Sequence, residues 1–223
     1  MDILITIDMQ NTLNNNTCGN SWTSGVTNKG KKINWQRCIY MECAEAIDYT
    51  NWKHWKTLEK SEDTEAIRME IVDIYHFLLS LLIETKGIES TKQFLEEFKN
   101  HFKHQREDFG CDKVVAFEEM MLRVLTGNLN AVGLLNSFGK CMCAFDMTIE
   151  SLCEIYVLKN TLNQFRQDNG YKEGTYIKNW ALNIGEEVED NEVAMRLLHK
   201  AETPEELYML MNTHYNLVEL LKI

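Results

Sequence analysis

Two pairs of carboxylates stand out by residue type and spacing. Glu42 and Glu45 lie three apart in Tyr40-Met41-Glu42-Cys43-Ala44-Glu45-Ala46-Ile47, and Glu70 and Asp73 lie three apart in Glu70-Ile71-Val72-Asp73. On a helix, residues at i and i+3 share a face. Two helices facing each other through these pairs would gather four acidic groups. Like charges at that range repel, and their burial is costly. Cations among the oxygens remove the conflict, and hard oxygen donors select Mg²⁺, Mn²⁺ or Ca²⁺. Acidic pairs are also common on solvated helix faces, so their surroundings decide. Glu42 and Glu45 are flanked by Ile39, Tyr40, Met41, Cys43, Ala44, Ala46 and Ile47. Glu70 and Asp73 run into Ile74, Tyr75, Phe77, Leu78, Leu79, Leu81, Leu82 and Ile83. Both helices are predicted to be apolar nearly all round and therefore central, where carboxylates need a partner.

A second cluster is cationic. Lys159, Asn163 and Arg166 recur at i, i+4 and i+7, and a glycine-bearing turn follows from Asp168 to Lys178, with Lys172 and Lys178 in it. Lysine and arginine hold phosphate oxygens by charge and by hydrogen bonds. The competing reading is a solvated helix face beside a flexible loop. The chain has no Gly-x-x-x-x-Gly-Lys-Ser/Thr, so this is not a P-loop. Gln10 and Asn14 are four apart on a first helix. They are either a polar face fraying into Asn14-Asn15-Asn16 or a pair of amides facing a hydrogen-bonding ligand such as a base, and the residues alone favour the former. His76, three beyond Asp73, is either a satisfied core histidine or a contact next to the metal site. Trp52 and Trp55 pack together or wall a ligand.

The elements that must position these residues are helices. The predicted spans are about Ile3 to Asn16, a helix capped by Asn34 and ending near Asp48-Tyr49-Thr50, and Thr64 to about Lys86. Ser90-Thr91-Lys92-Gln93 has the form of a capping box and is predicted to open a helix ending near Arg106. Further helices are expected over Lys113–Leu125 and Leu129–Cys143, and one from Asp146 or Thr148 to about Gln167. Thr203-Pro204-Glu205-Glu206 starts the last helix. Residues 17–33 and the charged stretch 59–65 are expected to be loop and exposed surface.

Composition agrees. The 223 residues contain one proline and 11 glycines, too few turn formers for a sheet protein of this size, so the expected fold is all-α. A formal net charge of -11 argues against nucleic acid and anionic membrane as partners. Seven cysteines without a Cys-x-x-Cys indicate reduced thiols and a cytoplasmic protein. The N-terminus lacks a basic signal-peptide start. The longest apolar run, Ile74 to Ile83, is too short to span a bilayer.

Together these stretches resemble the dimeric dUTPases of the all-α nucleotide pyrophosphatase superfamily. The resemblance rests on Gln10-x-x-Leu13-Asn14, on Trp35 through Asp48 and on Trp52-Lys53-His54-Trp55. It continues in Glu70 through Phe77 and in Leu162-Asn163-Gln164-Phe165-Arg166-x-x-x-Gly170-Tyr171-Lys172-x-Gly174-x-Tyr176-x-Lys178-x-Trp180. The carboxylate pairs mark the superfamily. The Trp-Lys-x-Trp element and the Gly-Tyr-Lys-x-Gly-x-Tyr-x-Lys loop mark the dUTPase branch. The resemblance implies a single domain over 1–223, with a rigid metal-binding core over about 1–86 and 146–180, a mobile helical cap, an unassigned helical segment over about 87–145 and C-terminal helices over about 189–222. It implies a homodimer that hydrolyses dUTP, and dUDP as well, with two or more Mg²⁺ ions per site, Mn²⁺ being an alternative. It implies that Glu42, Glu45, Glu70 and Asp73 hold the ions, with Glu42 or Glu45 as the base, and that Gln10, Asn14 and Trp55 face the uracil and sugar; His76 is counted with the substrate-binding residues as a contact on the metal-facing side. It implies that Lys159, Asn163, Arg166, Lys172, Tyr176 and Lys178 hold the phosphates.

Three rival readings remain at the level of sequence. A MazG-like pyrophosphatase for another nucleotide would have no use for the base-facing residues. A di-iron bundle wants Glu-x-x-His on two helices, and only Asp73-Ile74-Tyr75-His76 comes near. A non-catalytic helical protein would leave both charge clusters without a shared purpose.

Overall fold

The protein is described by a computed structural model over residues 2–56, 62–110, 112–183 and 186–221. Residues 59–61 of the stretch expected to be exposed therefore lie outside the described residues. The chain forms two compact units, Met1–Cys153 and Glu154–Ile223.

The first unit carries α1 (Ile5–Cys18), α2 (Trp35–Asp48), α3 (Thr64–Lys86), α4 (Ile88–His104), α5 (Lys113–Leu125) and α6 (Ala131–Ala144). Polar residues set most starts, as N-caps do by accepting the first free amides. Asn34 accepts from Arg37 N at 2.8 Å, Asp63 from Ala66 N at 3.1 Å, Asp112 from Val114 N and Val115 N, and Asn130 from Gly133 N. The capping box expected at Ser90 does not form. One residue, Gly87 with φ +80°, separates α3 from α4, so α4 starts at Ile88 and Ser90 lies inside its first turn. Only a residue tolerant of positive φ can turn the chain that tightly.

α3 is the centre of this unit. Ile67, Ile71, Val72, Ile74, Tyr75, Leu78 and Leu79 are fully buried on it, and it packs against α1, α2, α4 and α6. Tyr75 stacks on Phe138 at 5.3 Å, and its hydroxyl lies 2.9 Å from Thr6 Oγ1. α2 differs from the expectation of an apolar helix all round. Its buried stripe is Trp35, Ile39, Cys43 and Ala46, and Met41 is 46% exposed. α2 is thus one-sided, wedged between α3 and α5, with its carboxylates flanking the stripe. Residues 87–145, without a recognisable motif, supply α4 to α6, which line the same core. The loop after α1 is pinned by Trp22, 1% exposed and edge-to-face with Trp35 at 5.9 Å.

α7 (Ile149–Asp168) opens on Thr148, whose side chain accepts from Ser151 N at 3.1 Å while Ser151 Oγ accepts from Thr148 N at 2.9 Å. Of the two caps considered, Thr148 serves; Asp146 sits at φ +54° in the preceding turn. The second unit then holds a turn, a two-stranded antiparallel hairpin of β1 (Asn179–Asn183) and β2 (Glu186–Glu189), and helices α8 (Asp190–Leu198) and α9 (Pro204–Leu221). The hairpin is not among the expected elements; among the described residues the only other β pairing is an isolated bridge between Val26 and Lys32. Its anchor is aromatic: Phe165 of α7 meets Trp180, Tyr208 and Tyr215 edge-on at 5.2 to 5.7 Å. The turn needs Gly170, at φ +88°, where a Cβ would collide with Thr175 Oγ1.

Candidate active site

Each unit contains one of the two clusters. In the first, α2 and α3 bring carboxylate oxygens of Glu42, Glu45 and Glu70 within 4.8 Å of one another. Glu42 and Glu70 are half-buried and Glu45 is exposed. Asp73 follows Glu70 by three residues on α3 and is half-buried; among the described residues it stands outside this group of three at that spacing. Cys43, between the two glutamates of α2, turns into the core, and burial pushes its thiol well up from the ordinary range. The donor set fits a hard divalent cation. An octahedral Mg²⁺ with oxygens at about 2.1 Å spaces them up to about 4.2 Å apart, so modest side-chain adjustments suffice to close the three glutamates on an ion.

Gln10, Asn14 and His76 form a second arrangement in the same unit. All three are 3% exposed. Ser80 Oγ donates to the His76 carbonyl at 2.9 Å and accepts from Asn14 Nδ2 at 2.9 Å. Asn14 Oδ1 in turn accepts from Gln10 Nε2 at 3.0 Å, and Gln10 Oε1 lies 2.6 Å from His76 Nδ1. An amide oxygen only accepts, so His76 Nδ1 carries the proton. One backbone carbonyl thus sets the polarity of four side chains, and the two amides are ordered rather than frayed. Trp55 stands apart in the loop after α2. It is 62% exposed and edge-to-face with Trp52 at 5.4 Å and with His54 at 5.0 Å. The two tryptophans do pack on each other, in the open.

The second unit gathers four of the six residues expected to bind phosphate around two that sequence reasoning missed, Asp190 and Asn191. Arg166 forks onto Asp190, Nε to Oδ2 and Nη2 to Oδ1, both at 2.7 Å. Tyr176 donates to Asp190 Oδ2 at 2.7 Å. Asn163 Oδ1 accepts from Arg166 Nη1 at 3.1 Å. Asn191 Oδ1 accepts from Lys159 Nζ at 3.1 Å and from Arg166 Nη2 at 3.2 Å. Asp190 is fully buried and Lys159 is 5% exposed, so this is no solvated helix face. Burial, and then the Asp190 charge, push the Tyr176 hydroxyl far above its ordinary range. Lys172 and Lys178 are exposed on the turn, Lys178 beside Glu189 at 3.3 Å. Asp190 and Asn191 sit in the acidic run Glu186 to Glu192, which by composition alone looks like solvated charge. Ser80 carried a usable signal, since it follows His76 by four residues and so shares its face.

The arrangement supplies an oxygen-lined site for cations in one unit and a cationic, aromatic-backed turn in the other. The family described as dUTPase matches residues 2–171. No curated protein matches the chain.

Proposed function

Since the chain belongs to the dUTPase family and is an enzyme of dUTP hydrolysis, we propose that it works with Mg²⁺, releases dUMP and pyrophosphate, and also takes dUDP, giving dUMP and phosphate. The observation that carries this is the approach of Glu42, Glu45 and Glu70 oxygens to within 4.8 Å. Three carboxylates so close repel one another unless a cation sits among them. Glu42, Glu45, Glu70 and Asp73 hold the ions. Bound Mg²⁺ supplies charge neutralisation on phosphate oxygens and a more acidic water.

The chain's own residues do the rest. Glu42, half-buried beside the α2 stripe, takes the proton from the attacking water as general base. Lys159, Asn163, Arg166, Lys172, Tyr176 and Lys178 bind the phosphate chain by charge-assisted hydrogen bonds. Gln10 and Asn14 face uracil with donors and acceptors whose polarity the Ser80–His76 network presets. Trp55, exposed before binding, stacks on the base and loses water-accessible surface when it does. The enzyme is a homodimer of the cytoplasm. Among the described residues no helix is long and apolar enough to cross a membrane.

The test is pyrophosphate release from dUTP, dTTP, dCTP and UTP, each with Mg²⁺ and with a chelator, alongside phosphate release from dUDP. Release from dUTP far above the other three, abolished by chelation, is the expected result. Equal turnover of all four nucleotides would refute the base site, and chelator-resistant turnover would refute the metal.

A further inference from the structure

Asp190 has no place in the chemistry outlined above, yet among the described residues of the second unit it is the most deeply buried charge, at 0% exposure. We infer that Asp190 is a positioning residue for the hydrolysis: with Asn191 it orients Arg166 and Lys159 for the phosphate chain. This rests on the reading of Lys159 and Arg166 as phosphate-binding groups.

Arginine on a flexible stem samples many orientations unless something fixes its plane. Here the Nε–Nη2 edge is forked onto Asp190 and Nη1 is bonded to Asn163 Oδ1 at 3.1 Å, so both the plane and the direction of the Nη1 edge are set. The fork is the strongest geometry available to the pair. Tyr176 adds a third donor to the same carboxylate, which ties the turn after α7 to the start of α8. The Asp190 amide bonds to Lys178 O at 2.9 Å, so the backbone is held as well as the side chain.

Asp190 is not a stand-in that a phosphate displaces. Expelling a fully buried carboxylate from a forked arginine would leave a buried charge uncompensated. Lys159 Nζ and Arg166 Nη2 both reach Asn191 Oδ1, at 3.1 and 3.2 Å, so one amide oxygen holds the two cationic groups side by side. The pair Asp190-Asn191 thus sets both cations in place.

The experiment measures kcat and KM for dUTP, binding of deoxyuridine, and thermal stability in Asp190→Asn, Asp190→Glu, Asn191→Ala, Arg166→Ala and the double variant Arg166→Ala/Asp190→Asn. The loss of an oriented, charge-assisted contact should raise KM for dUTP by about tenfold in Asp190→Asn, with a smaller change in kcat and none in deoxyuridine binding. Asp190→Glu should restore part of the loss. Asp190→Asn should add nothing in the Arg166→Ala background. Should Asp190→Asn not fold, Asn191→Ala decides, since it removes the shared acceptor and leaves the buried ion pair. A wild-type KM in whichever of these variants folds, or independent effects in the double variant, would overturn the positioning role. Arg166→Ala separates the two levels: an unchanged KM there sinks the phosphate site itself, whereas a raised KM there with a normal one in Asp190→Asn sinks only the role of Asp190.

Discussion

Glu45→Gln should change the stability of the protein in opposite directions with and without metal. Glu45 shares with Glu42 and Glu70 a cluster whose oxygens lie within 4.8 Å of one another. At that separation a pair of unit charges repels by about 0.9 kcal/mol in water and about 3.5 kcal/mol at the effective dielectric of a partly buried site. Glu45 is exposed, so the lower figure applies, and removing its charge deletes two of the three repulsive pairs. Counter-ions screen part of this, leaving a gain of about 1 kcal/mol for the metal-free variant. In a chain of this size that raises Tm by about 2–4 °C. With Mg²⁺ the order reverses. A ligand at a hundred times its Kd stabilises the wild type by about 2.7 kcal/mol, and a variant short of one ligand gains much less. The assay is thermal unfolding in a chelator and across a Mg²⁺ titration, with dUTP turnover in parallel. The variant should melt above the wild type in chelator, below it at saturating Mg²⁺, and turn over no dUTP. Melting below the wild type in chelator, or the same Mg²⁺-induced rise as the wild type, would refute the shared-cation reasoning.

Three other outcomes are expected. Lys172→Ala, on an exposed turn position, should weaken dUTP binding by about 1.5–3 kcal/mol, with deoxyuridine affinity intact; calorimetry with both ligands checks this. Asn14→Ala should lower the ratio of kcat/KM for dUTP over dCTP more than it lowers Mg²⁺ affinity, and should cost about 1–3 kcal/mol of stability, because Gln10 Nε2 and Ser80 Oγ both lose their bond to Asn14. Glu84 has its carboxyl raised by burial, so its proton stabilises the fold at low pH, and that contribution is lost as pH rises through the raised value. Glu84→Gln should therefore be the more stable protein at pH 7, with the difference closing below about pH 4, as denaturant unfolding at both pH values will show.

The local signals in the chain were legible because their causes are local. A cap, an apolar period and a glycine act within one turn, so the start of α2 follows from Asn34 and the spans of α3 and α5 from their apolar periods. Ser90 failed as a cap for a reason that spacing does not carry: Gly87 turns the chain so sharply that the helix is under way before the capping box begins. The hairpin was missed because Asn179–Asn183 and Glu186–Glu189 hold mixed, short, largely polar residues. Their pairing depends on Trp180 seating against Phe165 and Tyr215, a contact between residues far apart in the chain.

The same distinction governs the site. A helical period of three or four already places Glu42 beside Glu45 and Gln10 beside Asn14, so each pair was visible without the fold. What the period cannot supply is the group on the other element that gives a pair its meaning. Glu70 comes to Glu42 from another helix, Ser80 comes to Asn14 from 66 residues away, and Asp190 comes to Arg166 from 24 residues away. Asp190 is the instructive case. An acidic residue in an acidic run is indistinguishable by composition from a solvated one, and only its complete burial against a forked guanidinium reveals that it organises the cations around it. A cationic cluster in an acidic protein is therefore better read together with the carboxylate that holds it, since the carboxylate fixes how the guanidinium is oriented.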